Sequence, residues 1–261
     1  MNYEKSAYVA KQTDTQGHVQ YTPEENAVWQ TLIERQTPIV KARACGEYLD
    51  GLKKLRLPLT QIPQCSDINT VLQAATGWAV EAVPALIPFD RFFWLLANRR
   101  FPAATFIRTR EELDYLKEPD IFHEVFGHCP LITLPEYAAF MQHYGELGLA
   151  ATPAERILLA RLFWFTVEFG LINTKAGLKA YGGGILSSIS ETVYAIESPL
   201  PERRAFNVID ALRTPYRIDV IQPLYFVVDS LDEIYALRQL DLMKLVRDTM
   251  QGNEYGPDSA C

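Results

Sequence analysis

Cysteine is scarce and scattered. Cys45, Cys65, Cys129 and Cys261 make no C-x-x-C pair and no framework spacing, which excludes a disulfide scaffold and a zinc knuckle and leaves reduced thiols as the expectation. No run of about eighteen uninterrupted apolar residues occurs, and the start MNYEKSAYVAKQTD lacks the apolar segment of a secretory signal. Neither a helical membrane span nor export is therefore expected, and the cytoplasm is the expected location. A long Lys/Arg cluster is missing as well. With a net charge of −7 the surface would repel a phosphate backbone, so nucleic acid is not an expected partner. There is no internal repeat, low-complexity tract or long Pro/Gly/Ser linker on which a domain boundary could sit. What remains is an ordinary globular composition, 48% hydrophobic and 22% charged, long enough to bury a substantial core. One domain over residues 21–250 is expected, flanked by flexible segments at 1–20 and 251–261.

Helix signals dominate what is present. Thr22-Pro23-Glu24-Glu25 reads as an N-cap, a proline at the first helical position and a capping-box glutamate, followed by Val28, Trp29, Leu32 and Ile33 at helical spacing. Thr152-Pro153-Ala154-Glu155 repeats that signature ahead of RILLARLFWFTVEFGLI. Further helices are predicted from Ser66 to Ala75, stopped by Gly77, around PFDRFFWLLAN, over PEYAAFMQHYGELGL, and along LDEIYALRQLDLMKLVRDTM at the end. The run YRIDVIQPLYFVV, residues 216–228, is rich in β-branched and aromatic residues, and Pro223 confines it to short or edge strands. The fold class is mostly α with a small β component.

The chain has four histidines, and two of them, His123 and His128, fall in the apolar stretch PDIFHEVFGHCPLI. Histidines four apart share a helix face, the basis of H-E-x-x-H zinc sites; five apart they differ by about 140° on an ideal helix. Gly127 offers a way out by ending the helix, with Pro130 preventing its resumption. His123 would then sit on the last turn and His128 on a loop folding back, so that both imidazoles converge on one ion. The plainer reading is a pair of satisfied core histidines. Glu168 follows Trp164 by four and Phe165 by three and precedes Leu171 by three, which places it on an apolar stripe. A buried carboxylate needs a cation, a proton or a metal. An ion pair with Arg161 or Arg108 would satisfy it, as would joining the two histidines around a metal. Two imidazoles and a carboxylate form the facial triad of non-haem Fe(II) oxygenases, and zinc accepts similar ligands.

Three segments in this order, DIFHEVFGHCPL, WFTVEFGL and KAYGGGILSS, resemble the pterin-dependent aromatic amino acid hydroxylases, above all their single-domain bacterial, phenylalanine-hydroxylating members. The resemblance runs from about Tyr21 to Val228. It implies a mostly helical catalytic domain that uses Fe(II), a tetrahydropterin such as tetrahydrobiopterin, and O2 to convert L-phenylalanine to L-tyrosine. By motif position it implies His123, His128 and Glu168 as iron ligands. Glu124 would be the catalytic glutamate facing the pterin. Phe92 would stack on the pterin, flanked by Val83, Leu86 and Ile87, and Arg108 would receive the substrate carboxylate in a bidentate pairing that lysine cannot reproduce. Pro119 and Trp164 would wall the aromatic pocket, and Ser187 would order the site near the amino acid backbone. Read without the family, the aliphatic residues are plain core, Arg108 a surface arginine, and Trp164 or Ser187 packing or a loop hydroxyl.

The sequence departs from the family pattern at Leu116, Phe163 and Pro102, where a hydroxyl, a tyrosine and a histidine respectively occur in other members; these bear on pterin and substrate contacts rather than on the iron triad. With about twenty residues before the first capped helix and a short tail, no regulatory domain is expected and the chain should be a monomer. Two other classes are open at this point. A zinc hydrolase would use Glu124 as general base on a metal-bound water, and a non-catalytic helical module would merely bury the three polar groups.

Overall fold

Both expected capping boxes form in the computed structural model, which describes residues 8–84, 86–114 and 116–252. Thr22 opens α1 (Pro23–Arg43), accepting from the Glu25 amide while Glu25 accepts from the Thr22 amide. Helix α2 (Gly46–Leu55) follows, then α3 (Cys65–Thr76), which Gly77 ends in the left-handed region at φ +76°, as its position predicts. Strands β1 (Ala79–Val83) and β2 (Arg100–Ala104) pair in parallel around α4 (Phe89–Ala97), a βαβ unit that the apolar pattern does not announce. A π-helical segment, His123–His128, runs into α5 (Cys129–Ile132) and is followed by α6 (Pro135–Ala150). Helix α7 (Pro153–Phe163) leaves its own box at Thr152 and runs into a second π segment, Trp164–Glu168.

The hairpin β3 (Leu171–Thr174) and β4 (Gly177–Ala180) comes next, then α8 (Gly183–Leu186), α9 (Ile189–Glu197), β5 (Glu202–Ala205), α10 (Val208–Arg213) and β6 (Leu224–Val228). The four strands order as β4-β3-β6-β5, with β6 parallel to both neighbours. Of the short or edge strands expected here, a short one forms, and it does not lie at an edge. Residues 216–223 form no strand; β6 starts just after Pro223, whose carbonyl still accepts from the Glu202 amide, and it is interior and buried along its length. The closing amphipathic segment is also not one helix. It breaks into α11 (Leu231–Ala236), a 3-10 turn and α12 (Leu242–Met250), because Asp241 caps a new start by accepting from the Lys244 amide.

Of the segment expected to be flexible at the N-terminus, residues 8–20 pack on the domain: Thr13 and Val19 form a bridge, and the Gln64 side chain bonds both the Val19 amide and its carbonyl. Residues 1–7 and 253–261 lie outside the described residues. The core lies directly behind the first π segment, where Phe122 and Phe126 stack at 4.8 Å and Trp29 meets Phe122 edge-on.

The second box makes a stability prediction. Glu155 accepts from the Thr152 amide at 2.7 Å and from Arg247 of α12 at 2.8 Å, and these two bonds draw its pKa from 4.5 down to about 2. A depressed folded pKa means that the contribution is present above the unfolded value and is lost as pH falls through the folded one. Glu155→Gln keeps an amide acceptor for the cap but removes the charge. The loss of unfolding free energy on acidification from pH 4.5 to about 2, measured by urea titration, should therefore be smaller in the variant than in the parent. Equal acid sensitivity would contradict it.

Candidate active site

Each of the three residues singled out for a metal sits on a π segment: His123 and His128 on the first, Glu168 at the end of the second. This overturns the expected helix stop at Gly127. The helix does not end there, because in π register hydrogen bonds span five residues and a side chain stands over the one five positions on. The five-residue spacing that an α-helix would scatter is thus brought onto one face. Gly127 is required for another reason: a Cβ there would lie 2.7 Å from the Gly183 carbonyl of α8. Gly183 is equally constrained, since its Cβ would meet the His128 ring at 2.4 Å. The glycine run GGG is therefore a close-packed wall against the site.

The His123 and His128 Nε2 atoms stand 3.0 Å apart, and Glu168 Oε2 lies 3.3 Å from His128 Nε2 and 3.7 Å from His123 Nε2. One ligand atom from each side chain falls within 4.8 Å of the others, the only such grouping of three among the described residues. Burial lowers the His123 pKa to about 4, with His128 beside it adding to the effect, so the ring presents a neutral lone pair. Burial would raise Glu168, but His128 and then His123 outweigh it and hold the carboxylate below its ordinary value. Two imidazoles and a carboxylate aimed at one point are a donor set that fits a divalent first-row metal. The alternative ion pairs do not form: Arg108 pairs with Asp120, and Arg161 Nη1 donates to the Leu212 carbonyl.

The orientation of His123 is set from behind. Its Nδ1 meets Ser187 Oγ at 2.9 Å, and its backbone amide donates to Asp120 Oδ1 at 3.0 Å. Asp120 is fully buried and also takes Arg108 in a two-bond fork, Nε to Oδ2 at 2.8 Å and Nη2 to Oδ1 at 2.9 Å. Burial alone would raise Asp120, yet the Arg108 guanidinium keeps it below its usual range. The sequence reading missed Asp120. Its signal is a helix-capping aspartate three residues before a candidate ligand. Arg108 is correspondingly buried, not a surface arginine.

A cavity of ≈ 430 Å³ opens in front of His123 and Glu168. Arg108, Pro119, Trp164 and Ser187 line it together with His123 and Glu168, and Leu86 and Leu116 lie at its wall. Trp164 is held face to face with Tyr216 at 4.3 Å, and its Nε1 donates to Gln222 at 2.9 Å. Gln222, also missed from sequence, is a buried anchor for the 217–222 loop through bonds to the Arg217 and Val220 carbonyls. Phe92, Val83, Ile87 and Glu124 do not line this cavity. Phe92 packs edge-on against Phe163 at 5.3 Å, Val83 is buried at the end of β1, and Ile87 is half-buried in the loop after it. Glu124 is buried, and that burial, followed by the nearby Glu168 and Asp120 charges, pushes its carboxyl well above the ordinary range. Pro102 lies buried in β2.

Residues 1–248 match the family described as biopterin-dependent aromatic amino acid hydroxylase. The chain belongs to this family. It is similar to the phenylalanine-4-hydroxylase of Pseudomonas aeruginosa, 57% identical over 250 residues, which cover 96% of this chain and 95% of that one. Among solved structures it resembles the apo phenylalanine hydroxylase of Colwellia psychrerythraea, with a TM-score of 0.93 and 48% identity over 95% of this chain and 96% of that one. It also resembles the Chromobacterium violaceum enzyme, solved with bound oxidised Fe(III), at a TM-score of 0.88 and 44% identity over 91% of this chain and 87% of that one. Membership of the hydroxylase family displaces the zinc-hydrolase and binding-module readings. It also accounts for the mostly helical single catalytic domain.

Proposed function

We infer that this hydroxylase is a phenylalanine 4-monooxygenase, which uses ferrous iron, a tetrahydropterin and O2 to convert L-phenylalanine to L-tyrosine, a first step of phenylalanine breakdown or a source of tyrosine. The observation that carries the reading is the convergence of His123, His128 and Glu168 at a cavity that also holds a buried arginine. These three side chains would hold the iron. Bound there, the iron together with the pterin supplies the redox chemistry of ring hydroxylation.

The chain's own residues position and enclose. Arg108 receives the substrate carboxylate, with Asp120 fixing the plane of its fork and leaving Nη1 and the second hydrogen of Nη2 for a two-pronged pairing with the ligand. The substrate ring lies between Pro119 and Trp164, and Ser187 steadies both His123 and the amino acid end. Phe92, with Val83, Leu86 and Ile87 beside it, would hold the pterin, and Glu124, whose carboxyl burial pushes well above its ordinary range, would supply a protonated group on that side. Phe163 in place of a tyrosine leaves the Phe92 side apolar. The catalytic domain spans 21–250 and acts as a cytoplasmic monomer. No helix among the described residues is long and apolar enough to cross a membrane.

Aerobic incubation with Fe(II), a tetrahydropterin and each aromatic amino acid in turn tests the reading. Tyrosine from phenylalanine, with pterin consumed in step, is the expected product, and turnover confined to tryptophan or tyrosine would overturn it. In the same assay Arg108→Lys loses the two-pronged pairing. Weakening a charge-assisted contact by about 1.5 to 3 kcal/mol corresponds to a rise of roughly 10- to 150-fold in KM for phenylalanine. An unchanged KM would remove Arg108 from the substrate site.

A further inference from the structure

We propose that Tyr48 is a positioning residue for the metal site: its hydroxyl supplies the hydrogen bond that Pro130 denies to the π segment, and so holds His123 and His128 at five-residue spacing on one face. The inference rests on the ligand reading above for its consequence, though not for its geometry. Pro130 falls four residues after Phe126, where α-helical register would bring an N–H to the Phe126 carbonyl, and proline has none. The segment passes from π to α register just there, at Cys129. The Phe126 carbonyl belongs to a buried residue, where an unmade bond is costly.

Tyr48, on α2, answers the shortage from across the core. Its hydroxyl donates to the Phe126 carbonyl at 2.7 Å, and its fully buried ring meets the Phe126 ring edge-on at 6.3 Å. Burial, with Cys45 and Cys129 nearby, raises the phenol far above its ordinary value, so it is a permanent donor. The fit is tight on the next turn of α2 too, since a Cβ on Gly51 would stand 2.0 Å from the Pro130 carbonyl. A second substitute donor serves the preceding turn, where the Cys129 thiol reaches the Glu124 carbonyl at 3.5 Å. The core face of the π segment is thus held by side chains while its other face presents the imidazoles.

Tyr48→Phe deletes only the hydroxyl and keeps the ring. Two readouts test it: binding of Co(II), followed by its d–d absorption, and amide hydrogen exchange of residues 126–131 in metal-free protein. The expected result is about tenfold weaker Co(II) binding with an altered absorption band, and about tenfold faster exchange confined to that stretch. Pro130→Ala restores a backbone donor. In that background deleting the hydroxyl should change both readouts less than about twofold, as a coupled pair requires. Parental Co(II) affinity, absorption and exchange in Tyr48→Phe would overturn the proposal, as would equal losses in the two backgrounds. If the parent itself fails to bind Co(II), the ligand reading falls, while the exchange data still decide the role of Tyr48.

Discussion

Glu168→Ala should abolish iron retention and tyrosine formation while leaving the helical far-ultraviolet signal intact. Among the described residues the carboxylate is the one anion within ion-pairing distance of both imidazoles, at 3.3 Å from His128 Nε2 and 3.7 Å from His123 Nε2. Without it, two imidazole nitrogens remain, a set that binds first-row metals weakly and without facial geometry. Loss of an outer partner of a metal ligand costs roughly 10- to 100-fold in affinity or activity, and loss of a ligand itself should exceed that range. The fold should survive the change, because Glu168 is partly open to the cavity, where water can reach the imidazoles it leaves. His123→Ala should behave alike. Iron content by elemental analysis after desalting, measured beside turnover, decides the matter. Retained iron with near-normal turnover in either variant would refute the assignment.

Asp120→Ala should be the most destabilising single change near the site. It leaves the Arg108 guanidinium buried without its partner, and breaking a buried pair costs about 3–5 kcal/mol. The same carboxylate accepts from the backbone amides of Arg108 and His123, so two further buried donors lose their acceptor. Urea unfolding at neutral pH should show the midpoint falling with an unchanged slope. The KM for phenylalanine should rise as the freed arginine leaves its plane, and Asp120→Asn, which keeps one acceptor oxygen, should lose less on both counts. A midpoint within about 1 kcal/mol of the parent for Asp120→Ala would show that Arg108 finds another partner or water.

The legible parts of this fold were local. Thr22 and Thr152 announced their helices because a capping box is written within four consecutive residues, and Gly77 announced a stop because a left-handed terminus favours glycine. The strands β1 and β2 flanking α4 stayed hidden, since two five-residue, mostly buried strands carry no strict alternation. The break before Asp241 was hidden by an apolar stripe that continues across it.

At the site the division is sharper. Motif resemblance and spacing together picked out His123, His128 and Glu168, and resemblance alone picked out Arg108; the chain itself therefore determined the three candidate residues, their order and the family. It did not determine how residues five apart face one ion. Both histidines are accommodated by a wider helical turn rather than by a stop, and an extra residue in a turn leaves no mark on an apolar pattern that repeats every three or four positions. Whether Gly127 marks an end or a close approach depends on α8 lying against it, and whether Arg108 is buried depends on Asp120, twelve residues away. Such choices belong to tertiary structure because they are settled by which buried donor meets which buried acceptor, and those partners come from elements that sequence order keeps far apart.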